Sequence, residues 1–250
     1  MTTELTLELA DGPARGWLFQ PTTATAAKAQ LPGVLFFMDA LGPRPALFGM
    51  AQRLADAGYL VLLPDLFYRH GAYGPFSVAS FADPVARAAL FKLIAETSYD
   101  MGVRDSGLLL DVLRKHGASA PYGAVGYCFG GGRALSAAAH FPQQIAAAAS
   151  FHGGHLADEN AHSPHRLASQ IQARVYVGMA GVDNSFPPAQ SAALETALRA
   201  AGVDFQLENY ASMQHGWTVP DLHGIYYVAG AERHWRRLLG LFAETLQAQP

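Results

Sequence analysis

Apolar positions along the chain fall into short strand-length runs separated by helical patterns, and this alternation sets the fold class before any motif is considered. Three runs open the chain: Leu5 to Leu9, Gly16 to Gln20 and the unbroken Val34 to Met38. A run without polar alternation predicts a strand buried on both faces, as in a parallel sheet covered by helices. Helical spacing follows over Ala46 to Ala57, with Leu47, Met50 and Leu54 on one face and Gly58 at the stop. A strand is expected over Tyr59 to Leu63, then a helix over Val103 to Lys115, a strand over Gly123 to Tyr127 and a helix over Gly131 to His140. Strands near Ala146 to Phe151, over Arg174 to Met179 and over Phe205 to Tyr210 complete the series, with helices over Pro188 to Ala201 and from about Ile225 to Leu246. Strand and helix in alternation predict an α/β fold with a doubly wound, mostly parallel sheet flanked by helices. Two long connections interrupt it, Phe67 to Tyr99, aromatic and suited to cover a pocket mouth, and Gly153 to Ser169, polar and histidine-rich.

Composition narrows this to one compact domain over residues 1–250, half apolar and 15% charged. The formal net charge of −3 leaves no basic excess for a phosphate backbone or an anionic membrane surface, so nucleic acid and membrane are not expected as partners. The start, MTTELTLELADG, is acidic and alternating, and reads as a first strand rather than a secretory signal. No stretch reaches the roughly 18 consecutive apolar residues of a membrane span. A single cysteine excludes an internal disulfide, and the cytoplasm is the expected location. Neither pattern nor composition separates a monomer from a homodimer.

The most specific chemical signal is Gly126-Tyr127-Cys128-Phe129-Gly130-Gly131, set between a predicted strand and a predicted helix. This is the context of a nucleophile elbow, with cysteine where serine commonly stands. Small residues at Gly126 and Gly130 let the chain pass close on either side of a strained turn. The helix that follows aims free N–H groups at the sulfur, which favours a thiolate and offers donors to an oxyanion. A base and an orienting carboxylate are then required. Asp183, beyond the strand Arg174 to Met179, and His215, beyond the strand Phe205 to Tyr210, supply them in the order nucleophile, acid, histidine at the sheet edge where such sites lie. Asp204 and Glu208 are rival acids, and His223 and His234 fall before or inside the last helix.

Together, G-Y-C-F-G-G, the V-D-N-S-F-P-P segment at Val182 to Pro188 and Q-H-G-W-T-V-P at Gln214 to Pro220 resemble the dienelactone hydrolase family over nearly the whole chain. The resemblance implies an α/β-hydrolase fold, a Cys-Asp-His triad on Cys128, Asp183 and His215, and no metal or organic cofactor. It also implies an oxyanion hole from the backbone N–H groups of Phe129 and Ala40. A glutamate after the third strand contacts the resting thiol in this family. The matching residue here is Asp39, one methylene shorter, and both a contact with Cys128 and a loop-capping role stay open for it. The namesake enzymes bind a substrate carboxylate with arginines, one of them four residues after the histidine, where this chain has Val219. Arg44, Arg69 and Arg87 could supply charge from other loops. A pocket bordered by Phe67, Tyr68 and Trp217 would suit an uncharged ester or lactone, and Tyr68, Arg69 and Trp217 are the candidate substrate-binding residues.

The expected chemistry is hydrolysis of a small-molecule ester or lactone through a thioester on Cys128. Two other classes compete. One is a metal site in His152-Gly153-Gly154-His155 with His162 and His165, whose spacing matches no zinc pattern. The other is a non-hydrolytic redox or binding protein that uses Cys128 as an oxidisable thiol.

Overall fold

A computed structural model describes residues 1–22 and 30–247. The chain opens with a hairpin of β1 (Thr2–Leu9) and β2 (Gly12–Phe19), then alternates through β3 (Pro32–Phe37), α1 (Pro45–Asp56) and β4 (Leu60–Pro64). After two short helical turns come α2 (Pro84–Glu96), α3 (Tyr99–Lys115), β5 (Ser119–Tyr127), α4 (Phe129–His140) and β6 (Ile145–Phe151). The chain continues through β7 (Arg174–Val182), α5 (Pro188–Ala200), β8 (Phe205–Gln214) and α6 (Val228–Leu246). The eight strands form one sheet in the order β1-β2-β4-β3-β5-β6-β7-β8. β1 and β2 run antiparallel to their neighbours, and β4 through β8 are parallel. This is an α/β-hydrolase fold.

The unbroken apolar runs explain the centre of the sheet, since Val34 to Phe37 and Val61 to Leu63 are fully buried. Alternation along β5 assigns its two faces. Gly123 lies against Phe242 and Leu246 of α6, and the Tyr127 hydroxyl meets His234 Nε2 of α6 at 2.9 Å. Gly126, three residues from Gly123, faces Gly130 of α4 on the other side. α1 joins the α6 layer through Arg53, which pairs with Glu232 and stacks over Trp235. α3 packs beside α4. Among the described residues no helix is long and apolar enough to cross a membrane.

Several expected boundaries move. α4 begins at Phe129, directly after Cys128, and β8 runs on to Gln214. The connection Phe67 to Tyr99 contains a helix, α2, where none was expected. Asp83 caps it by accepting from the N–H groups of Val85 and Ala86, and Pro84 occupies the first turn. Only Leu90 and Leu93 of α2 are buried, so it lacks the broad apolar stripe by which a packed helix is read.

Parallel strands bring their carboxyl ends to one edge. Asp39 follows β3, Cys128 follows β5, His152 follows β6, Asp183 follows β7 and His215 follows β8. Five loops thus meet at the rim where open α/β sheets place ligands.

Candidate active site

Cys128 sits at the junction of β5 and α4 with φ of 52°. A non-glycine residue in this region is strained, and the surroundings must hold it there. Two glycines make the turn possible. A Cβ on Gly126 would lie 2.0 Å from the Gly130 carbonyl oxygen, and one on Gly130 would lie 2.4 Å from the Phe37 carbonyl oxygen. The Cys128 N–H is shared between the Phe151 carbonyl (3.0 Å) and His152 Nδ1 (3.1 Å). No acceptor among the described residues takes the N–H of Phe129 or of Ala40, and both residues border the cavity beside Cys128. Two amides without an acceptor, one at a helix start and one in a loop turn, are thus left beside Cys128.

His215 lies in the turn after β8, where Gly216 takes φ of 99°. Its Nδ1 donates to Asp183 Oδ2 at 2.7 Å and lies 3.2 Å from Ser185 Oγ, and the ring shares its cavity with Cys128. Asp183 is nearly closed off from solvent, its side chain 3% exposed. The other oxygen, Oδ1, accepts from the Ser185 N–H (2.8 Å) and hydroxyl (2.6 Å). Burial alone would raise the Asp183 pKa, but the bonds from His215 and Ser185 outweigh it and hold the carboxyl below its ordinary value. Burial likewise works against a charged His215, yet the Cys128 sulfur and Asp183 together push the ring up to about 10. With its pKa raised this far, the ring favours its charged form beside the Asp183 carboxylate.

The sign of that shift can be measured. A ring whose folded pKa is raised adds stability that is complete below the ordinary histidine value and is lost as pH rises through about 10. NMR titration of His215 is expected to show a midpoint near 10 in the wild type and a lower one in Cys128→Ala, since the sulfur is the largest cause that raises it. An unchanged midpoint in the variant would separate the two residues.

A cavity of about 550 Å³ opens over these groups. Phe81, Phe91, Ile94 and Ala95, from the α2 segment, line its apolar wall. The size suits a small organic molecule.

A family model describing the dienelactone hydrolase family matches residues 16–246. The chain belongs to the dienelactone hydrolase family. Membership makes it a hydrolase of lactone or ester substrates. A protein of Escherichia coli O157:H7 provisionally named carboxymethylenebutenolidase is 30% identical over 224 residues, covering 86% of this chain and 77% of its own. A solved structure from Klebsiella pneumoniae, provisionally described as a dienelactone hydrolase, superposes with a TM-score of 0.84 at 24% identity, covering 97% and 98% of the two chains. A dienelactone hydrolase-like promiscuous phosphotriesterase from metagenomic libraries superposes at 0.75 with 25% identity over 98% and 99%.

In this family member, Cys128, Asp183, His215, Ala40 and Phe129 surround one cavity, whereas four other expected site residues lie elsewhere. Asp39 does not turn to the sulfur. Its Oδ1 accepts from the Leu41 N–H (3.0 Å) and Arg44 Nη1 (2.6 Å), and its Oδ2 accepts from Arg44 Nη2 (2.8 Å). Arg44 in turn reaches Asp221 in the loop after His215. Asp39 is therefore a loop brace, the shorter side chain being captured by the nearest guanidinium. Tyr68 and Arg69 are also corrected: the tyrosine hydroxyl donates to Asp105 and Arg69 forks onto Asp105 and Asp11, which ties the β1–β2 turn to α3. Trp217 is fully buried between Tyr210 and His152 and does not line the cavity over Cys128. Val219 is buried too, and Phe67 backs Phe129 from inside.

The rival acids have other work. Glu208 is drawn against burial to about 2 by Arg237, Tyr176 and Arg233, and fastens β7 and β8 to α6. Asp204 is exposed and pairs with Arg174. His152, grouped above with a metal site, stands behind the elbow instead. Burial and the nearby His215 and His234 hold it well below the usual histidine range, so the neutral ring accepts from Cys128 N–H at Nδ1 and donates from Nε2 to Thr218 Oγ1 (2.7 Å). His155 and His162 lie out near Asp158 and Asp100, and among the described residues no group of three or more His, Cys, Asp or Glu could hold a metal ion. Sequence reasoning missed Ser185 and Arg133 at the cavity wall. Ser185 stands two residues after the acid, the spacing of a turn that caps a carboxylate, and that signal was available.

Proposed function

We propose that this hydrolase cleaves a small ester or lactone by covalent catalysis, with Cys128 as nucleophile, His215 as proton carrier and Asp183 as the group that orients the ring. The observation that carries the reading is that Cys128, on its strained strand-to-helix turn, shares one cavity with His215, whose ring is held by the Asp183 carboxylate at 2.7 Å. The thiolate attacks the carbonyl carbon, the C=O electron pair moves onto oxygen, and the N–H groups of Phe129 and Ala40 receive the oxyanion. Collapse breaks the ester C–O bond, and the departing alkoxide takes the proton from His215.

Acylation changes the base. The thioester sulfur is neutral, so the largest cause raising His215 disappears and the ring falls toward its ordinary range. A ring so lowered takes a proton from water, which attacks the thioester and expels the thiolate. The same histidine is thus an acid in the first half and a base in the second, switched by the charge on sulfur.

The elbow accepts esters and lactones but gives an amide little help, because a thiolate leaves a tetrahedral intermediate more readily than an amine does. p-Nitrophenyl acetate and a dienelactone should therefore turn over, while the matched p-nitroanilide is slower by roughly a thousandfold or more. Comparable rates for amide and ester would remove this reading. A small-molecule substrate, one catalytic domain and action in the cytoplasm, where a lone thiol stays reduced, belong to the same proposal.

A further inference from the structure

Arg133 breaks the charge pattern of the molecule. Two other well-buried arginines each fork between two carboxylates: Arg44 between Asp39 and Asp221, and Arg69 between Asp105 and Asp11. Arg133 is only 7% exposed and forms part of the cavity wall, yet among the described residues no carboxylate lies within ion-pair distance of it. Its Nη1 donates to the Phe129 carbonyl (2.8 Å), Nη2 donates to the Thr97 carbonyl, and Nε has no partner. The guanidinium carbon lies 3.3 Å from the Phe129 ring centroid and 5.0 Å from that of Tyr99.

A buried cation without an anion is strongly unfavourable, and something must compensate it. The acids of the cavity are engaged elsewhere: Asp183 with His215 and Ser185, Asp158 facing His155 at 3.7 Å. The anions left are those the site itself makes, the Cys128 sulfur and the oxyanion. Burial pulls the Arg133 guanidinium down to about 10, opposed by Tyr99 and by the Cys128 sulfur.

We propose that Arg133 is an electrostatic positioning residue for Cys128, its guanidinium reaching back from the second turn of α4 to the first, where its charge, paired with no carboxylate, holds negative charge on the sulfur and on the oxyanion. The charge adds to the positive end of the helix, and the bond to the Phe129 carbonyl fixes the turn whose N–H receives the oxyanion. The inference rests on Cys128 being the nucleophile.

Because the chain has one cysteine, alkylation reads a single site. Rates with neutral iodoacetamide and anionic iodoacetate are compared for wild type, Arg133→Met and Arg133→Lys. The iodoacetate-to-iodoacetamide ratio is expected to fall about fivefold or more in Arg133→Met and to recover in Arg133→Lys. kcat for a neutral ester should fall with it while KM changes less. Simple loosening of the pocket would move both reagents together, so an unchanged ratio in Arg133→Met overturns the proposal. If that variant does not fold, Arg133→Gln, which keeps donors for the two carbonyls, makes the same comparison. Ester turnover that survives complete alkylation would sink the nucleophile reading instead, while the ratio still reports the field of Arg133.

Discussion

Replacing Cys128 with alanine is expected to lower kcat/KM for esters by about four orders of magnitude or more, leaving at most the residual rate that the oxyanion cradle and binding provide. The fold should survive the change. Cys128 already holds φ of 52°, and alanine is no more strained there than cysteine, while the N–H bonds to Phe151 and His152 belong to the backbone. Loss of activity without loss of the folded baseline would therefore trace to the sulfur. Retention of more than about a tenth of the activity would mean that another group attacks the carbonyl.

The second large effect is structural. Gly126→Ala is expected to destabilise the protein by about 4 kcal/mol or more, or to prevent folding, because the new Cβ would lie 2.0 Å from the Gly130 carbonyl oxygen and 2.3 Å from its carbon. These are backbone atoms of the first turn of α4, so no rotamer change relieves the clash. Gly49→Ala is the matched control: within α1, with nothing within 4 Å of its Cβ, it should raise stability by about 0.5–1 kcal/mol. Urea unfolding of the two variants gives the comparison. Near-native stability in Gly126→Ala would mean that the elbow has room the structure denies.

What could be read from the chain depended on whether the backbone or the side chain decided the outcome. β3 and β5 were legible because an unbroken apolar run has one good solution, and the elbow because its glycines mark a close backbone approach. The order of Cys128, Asp183 and His215 along the strands was legible for the same reason, since parallel strands deliver their following loops to one edge. α2 was not, because it covers the cavity with Phe91 half exposed and buries only two leucines, although Asp83 and Pro84 mark its start.

Side-chain direction was harder to read. Asp39 stands after the right strand but turns to Arg44, a partner five residues away that nothing in the local pattern ranks above the sulfur. Tyr68 and Arg69 stand in an aromatic connection that looked like a pocket rim, yet Asp105, far along the chain on α3, draws both inward. Trp217, two residues after His215 in sequence, is buried against His152. Arg133 carries no motif at all, and its meaning comes from the carboxylate it lacks.

Covalent catalysis by Cys128 is read out by rapid-quench mass spectrometry of the wild-type protein mixed with p-nitrophenyl acetate. A burst of one acyl group per chain is expected, its mass added to the peptide that contains Cys128 and absent from Cys128→Ala. Steady turnover with no adduct on that peptide, persisting when Cys128 is alkylated, would contradict it.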